Sequence, residues 1–162
     1  MSQLKITFPD NAVKDFAANI TGAEIARAIS PSLAKSALAI KVNVEVRDLS
    51  RIIESDAKIE IITPKSGAEA LEIIRHDAAH LLAEAVKELF PETQVTIGPA
   101  IENGFYYDLD FGDEKIGEAD LLKIEKKMAH IVKKNAKFEK TEIDIDKAIK
   151  NEKQRKQIYK EE

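Results

Sequence analysis

The chain has 162 residues, 44% of them hydrophobic, enough for one ordinary domain or two small ones with packed cores. Its 25 basic and 29 acidic side chains leave a net charge of −4, which excludes the global cationic field of an indiscriminate nucleic-acid binder. Without cysteine it can form neither a disulfide nor a thiolate metal site, and without a signal segment or an apolar run of about 18 residues it reads as a cytoplasmic protein with no membrane partner.

The stretch "QLKITFPDNAVKDFA" alternates Leu4, Ile6 and Phe8, turns at Pro9-Asp10-Asn11 and resumes through Val13 and Phe16, which predicts a β-hairpin. In "TGAEIARAIS", Thr21 and Glu24 stand in the capping-box relation. Ile25, Ala28 and Ile29 form the expected buried stripe of a short helix, with Ser30-Pro31 as its stop. The runs "SALAIKVNVEVRDLS" and "AKIEIIT" have the β-branched richness of strands. Residues 1–63 therefore predict a small sheet around one helix, the β-grasp or ubiquitin-like arrangement. They are charge-balanced, so the whole net charge falls in residues 64–162.

The turn-rich "TPKSG" marks a joint to a second α+β unit, residues 64–162. Ser66 and Glu69 predict a second capping box, opening a helix that runs to about Leu89 and stops at Pro91, with Leu71, Ile74, Ala78, Leu81, Ala85 and Leu89 as its apolar stripe. "QVTIGPAIENGFYYDLDF" reads as two strands joined at Asn103-Gly104, with Phe105, Tyr107, Leu109 and Phe111 on one face. A helix is expected over 118–135 with Leu121, Ile124, Met128 and Ile131 inward. A strand-like "FEKTEIDI" and a polar helix from about 146 follow. The two units are expected to be joined only by the short Thr63-to-Gly67 segment.

Two of the three histidines lie in "HDAAH". His76 and His80 are i and i+4, about 40° apart around a helix, so their rings can converge on one small object. That spacing suits metal ligation, or paired imidazoles that activate water or a hydroxyl, or two surface histidines bonded to nearby carbonyls or Asp77. Zinc wants at least three protein ligands, and the metalloprotease pattern places Glu where this chain has Asp77. No metal ligand set is therefore assigned. His130 shares a helical face with Lys123, Lys127 and Lys134 and reads as a surface residue.

Taken together, "HDAAHLLAEAVKELFP", "IGPAIENGFYYD" and the N-terminal β-grasp module resemble the front end of the threonyl-tRNA synthetase family. Residues 1–63 are similar to its TGS domain and residues from about 67 onward to the first part of its editing domain. The alanyl-tRNA synthetase family shares the histidine motif and a version of the "GFYYD" hairpin, but not the TGS-like module joined directly to it. The resemblance implies hydrolysis of serine mistakenly esterified to the 3′ end of threonine tRNA. A pocket separates two amino acids that differ by one methyl by only about 1–3 kcal/mol, so a second site must remove the error. It assigns catalytic roles to His76, His80 and Lys160 (in Tyr159-Lys160), and substrate-binding roles to Gly98, whose backbone would face the ester or ribose, and Tyr107, which would wall the pocket. It implies ATP and zinc for the catalytic domain of the full-length enzyme and no cofactor in these residues. It further implies tRNA as partner, a homodimeric full enzyme, and a monomeric fragment. The family completes its cleft with a downstream Cys-x-x-x-His, absent here, so the chain is expected to be a truncated piece, inactive alone. In the TGS-like part Asn43-Val44 replaces the family's Asn-Gly, so a bulged or longer turn is expected. The competing readings are an RNA- or protein-binding TGS module with a non-catalytic second domain, and an alanyl-type editing metalloprotein.

Overall fold

The computed structural model describes residues 3–136 and 141–154, the last three of these by backbone only. It divides into two compact units, residues 1–73 and 74–162.

In the first unit β1 (Gln3–Thr7) and β2 (Val13–Ala17) form the expected hairpin, with Leu4 opposite Phe16 and Thr7 opposite Val13. Its loop closes because Asn11 adopts φ 63°, while the Phe8 amide donates to the Ala12 carbonyl at 2.9 Å. After β3 (Ile20–Thr21) comes α1 (Gly22–Ile29), opened by the predicted capping box. The Glu24 amide donates to Thr21 Oγ1 at 3.3 Å, and the Thr21 amide donates to Glu24 Oε2 at 2.8 Å. The Thr21 amide and hydroxyl both donate to the Glu24 carboxylate and hold its carboxyl below the usual range, the amide contributing most.

The buried face of α1 is Gly22, Ile25 and Ala26, whereas Ala28 and Ile29 of the expected stripe are exposed. Gly22 decides this: a Cβ there would stand 2.8 Å from Ile40 Cγ2, so glycine lets the helix sit closely on the strand. Ser30-Pro31 ends α1 as expected, and a second helix follows at once. Ser30 ends α1 and caps α2 (Pro31–Ser36), where Pro31 occupies the first turn without needing a hydrogen-bond partner for its nitrogen.

Strands β4 (Ala39–Val42), β5 (Glu45–Arg47), β6 (Ile52–Ile53) and β7 (Ala57–Ile62) complete the unit. The main sheet runs β2-β1-β7-β4-β5, with β1 and β7 parallel and the other pairs antiparallel; β6 pairs with β3 outside it. This is the expected α+β β-grasp, with Ile6, Ile25 and Ile40 fully buried at its centre and Phe8 and Phe16 packed edge to face beside them. The β4–β5 turn is tight, not bulged or longer. Val42 pairs with Glu45, so only Asn43 and Val44 lie between, and Asn43 alone takes positive φ, 58°. Asparagine tolerates that conformation, and Asn43 Oδ1 accepts from the Lys58 amide at 3.1 Å.

Helix α3 (Ala68–Leu89) begins inside this unit, Ala70 and Ile73 packing on Ala39 and Ile62. Its start is not the predicted capping box. Ser66 Oγ instead accepts from the Thr63 amide at 3.0 Å, Glu69 pairs with Lys41, and Gly67 takes φ 72°. The expected stripe holds in its second half, where Ala85 is buried and Leu81 and Leu89 pack beside it, but Leu71 and Ile74 are exposed, and Ala70, Ala79 and Val86 are buried outside it.

In the second unit, β8 (Gln94–Val95) pairs with β11 (Leu109–Asp110), and β9 (Ala100–Ile101) with β10 (Gly104–Phe105). Ile101 pairs with Gly104, so the two turn residues are Glu102-Asn103, one earlier than expected; Gly104 takes φ 151° as the first strand residue. Residues 105, 107, 109 and 111 alternate inward as predicted. Helix α4 (Glu118–Lys134) buries Ile124 and Ile131 against Ala85 and Val86, with Met128, Leu109 and Phe111 around them, while Leu121 of the expected stripe is exposed. It ends at Asn135 in the left-handed conformation. Residues 141–144 form no strand, and α5 (Ile145–Gln154) follows.

Candidate active site

The second half of α3 turns Ala79, Ala85 and Val86 inward and leaves His76 and His80 exposed. One helical turn separates them, and their rings meet edge to face, centroids 4.5 Å apart and planes at 76°, with the two Nε2 atoms 2.9 Å from one another. That is a hydrogen bond between imidazoles. Among the described residues neither ring has another hydrogen-bond partner, so both Nδ1 atoms remain available.

His80 also borders a cavity of about 360 Å³, lined from α3 by Asp77, Leu81 and Glu84 and from the end of α4 by Ile131 and Lys134. Asp77, His80, Leu81 and Glu84 follow the i, i+3, i+4, i+7 spacing of one helical face, a signal by which the sequence could have revealed them. Lys134 had no such signal. Glu88, one turn beyond Glu84, pairs with Lys127 and, at 3.4 Å, with Lys134. The lysine partners hold its carboxyl below the usual range, Lys127 contributing most.

The two expected substrate-binding residues touch each other. A Cβ on Gly98 would fall 2.1 Å from Cδ2 of Tyr107, so the phenol ring fills the space that glycine leaves open. Burial pushes the Tyr107 hydroxyl pKa up. The hairpin that carries them is tied to α3 beside the histidine pair: Arg75 Nη1 donates to the Ile101 carbonyl at 3.2 Å. No local pattern marks this contact, which joins residues 26 apart. Lys160 lies outside the described residues. His130 is exposed on α4.

Two of the four ligands of a tetrahedral zinc centre are present in the pair, and among the described residues no group of three His, Asp or Glu side chains converges. The donor set here does not fit zinc.

A β-grasp unit of this topology, followed by an α+β unit bearing a His-x-x-x-His pair, defines a class: residues 4–63 match the TGS domain family. Over nearly its whole length the chain is similar to one kind of protein. It is 59% identical over 146 residues, 90% of the chain, to the threonine–tRNA ligase of Rickettsia typhi. The corresponding identity is 54% over 98% of the chain for the enzyme of Rickettsia africae, and 52% over 90% for that of Paramagnetospirillum magneticum. The resemblance to threonyl-tRNA synthetase drawn from the motifs is thereby shown. The chain spans about a quarter of the length of these curated relatives. Among the described residues no helix is long and apolar enough to cross a membrane.

Proposed function

We propose that this chain is the TGS and leading editing portion of a threonine–tRNA ligase, and that its histidine pair removes serine esterified to threonine tRNA. The observation that carries this reading is the exposed His76–His80 pair, Nε2 to Nε2 at 2.9 Å, with His80 on the rim of a cavity. Hydrolysis of an aminoacyl ester requires a base to take a proton from water as it attacks the carbonyl carbon, and a donor to protonate the departing ribose oxygen. Adjacent imidazoles supply both. The family resemblance assigns Tyr107, seated on Gly98, to the pocket wall and Lys160 to water activation. ATP, zinc and the dimer contacts belong to the remainder of the full enzyme, and tRNA is the partner of the whole.

The test is made in a full-length threonine–tRNA ligase that contains this segment. His76→Ala and His80→Ala should each slow deacylation of seryl-tRNA by about 10²–10⁴-fold, the usual worth of positioned proton transfer. Threonine activation should be nearly unchanged. Equal loss of both activities would mean that the histidines support the fold and would remove this reading.

A further inference from the structure

We propose that His76 and His80 hold opposite tautomers, so that the pair offers one imidazole lone pair and one imidazole N–H at its two Nδ1 atoms. For what these atoms do chemically, the inference rests on the ester-hydrolysing function above; the arrangement itself stands on geometry.

The Nε2 atoms are 2.9 Å apart, a hydrogen-bonding distance. One Nε2 must therefore carry the proton and the other must offer its lone pair. In the neutral pair the donor ring has a bare Nδ1, and the acceptor ring, whose Nε2 is bare, must carry N–H at Nδ1. The two outward atoms are thus unlike: one base, one donor. Two histidines that chose tautomers independently would both favour the Nε2–H form common to free imidazole side chains, and that combination would place two N–H groups head to head. Neither Nδ1 is engaged by another group among the described residues, so nothing else dictates the choice.

The charged groups around the pair are Arg75 and Asp77, adjacent to His76 along α3, and Asp77, Glu84 and Lys134, which line the cavity with His80. In the reaction, water attacks the ester carbon as its proton passes to the bare Nδ1. The carbon–oxygen bond to the ribose then breaks, and the ribose oxygen takes a proton from the pair. Ester and water become acid and alcohol, with the pair returned to its starting count of protons.

The experiment is long-range proton–nitrogen NMR of the whole ¹⁵N-labelled chain, reading Nδ1 and Nε2 of both rings under alkaline conditions in which both are neutral, with no substrate present. The Nε2–H fractions of His76 and His80 should sum to about one, even if the two arrangements interconvert. His80→Ala and His76→Ala each remove an exposed ring; in each folded variant the remaining histidine should return to the Nε2–H form. A summed fraction well above one in the unsubstituted chain would overturn the proposal. Since the spectra need no tRNA, failure of the dyad and failure of the serine-removing function are separately visible.

Discussion

The ring of Tyr107 lies against the open face of Gly98, so closely that an added Cβ would stand 2.1 Å from Cδ2 and 2.4 Å from Cε2. Neither residue is free to change alone. Gly98→Ala should expel the ring and lower stability by about 1–3 kcal/mol, the usual cost of overpacking. Urea denaturation would measure this, together with loss of the near-ultraviolet signal from a fixed tyrosine. An unchanged midpoint and signal would show that the ring has another seat.

At the β4–β5 turn, Asn43 combines positive φ with a side-chain bond to the Lys58 amide. Asn43→Ala should cost roughly 1–3 kcal/mol, since alanine neither tolerates that backbone region nor offers an acceptor. Asn43→Gly loses only the bond and should cost less. Thermal unfolding of the two variants side by side decides it, and equal destabilisation would mean that the backbone conformation contributes nothing.

Glu88 links α3 to α4 through Lys127 and Lys134. Its carboxyl is held below the unfolded value, so it binds fewer protons when folded. The stabilisation is fully present above the ordinary carboxylate range and disappears as the pH falls through the depressed value. In Glu88→Gln, acid should therefore erode stability less steeply than in the unsubstituted chain, and the two should converge in strong acid. Urea midpoints between neutral pH and strong acid test the sign, and added salt should shrink the difference because the pairs are solvent-accessible.

Two imidazoles leave a tetrahedral metal site half empty. Elemental analysis of the purified chain should find well below one zinc per molecule, and a chelator should leave the Tm where it was. About one zinc per chain, lost on His76→Ala, would instead move this site toward metal-dependent chemistry.

Features that depend on neighbouring residues were legible in the sequence where no distant group competed. The Thr21–Glu24 capping box forms as written, and the i, i+4 spacing brings His76 and His80 together. The same box pattern at Ser66 and Glu69 fails because Thr63 takes the hydroxyl and Lys41 takes the carboxylate. Hydrophobic periodicity located α1, α3 and α4 and part of the inward face of each, Ile25 in α1, Ala85 in α3 and Ile124, Met128 and Ile131 in α4. Gly22 settles the inward face of α1 by its fit against Ile40, and Ala70 begins α3 on Ala39 and Ile62, contacts no local pattern encodes. In the candidate site, Gly98 and Tyr107 were legible singly, whereas their stacking and the Arg75–Ile101 tie join residues far apart in the chain.

Ser30 is shared by two helices. Its amide donates to the Ala26 carbonyl at 3.1 Å, closing α1, while its hydroxyl accepts from the Leu33 amide at 3.0 Å, opening α2. The corner therefore has no slack. An inserted residue would leave Ser30 serving only one of its neighbours, and a deletion would remove the closing bond of α1 or the cap of α2. Length variation among related chains should accordingly gather in the connections between strands, and the spacing from Ile29 to Pro31 should stay constant even where the side chains on either side have drifted.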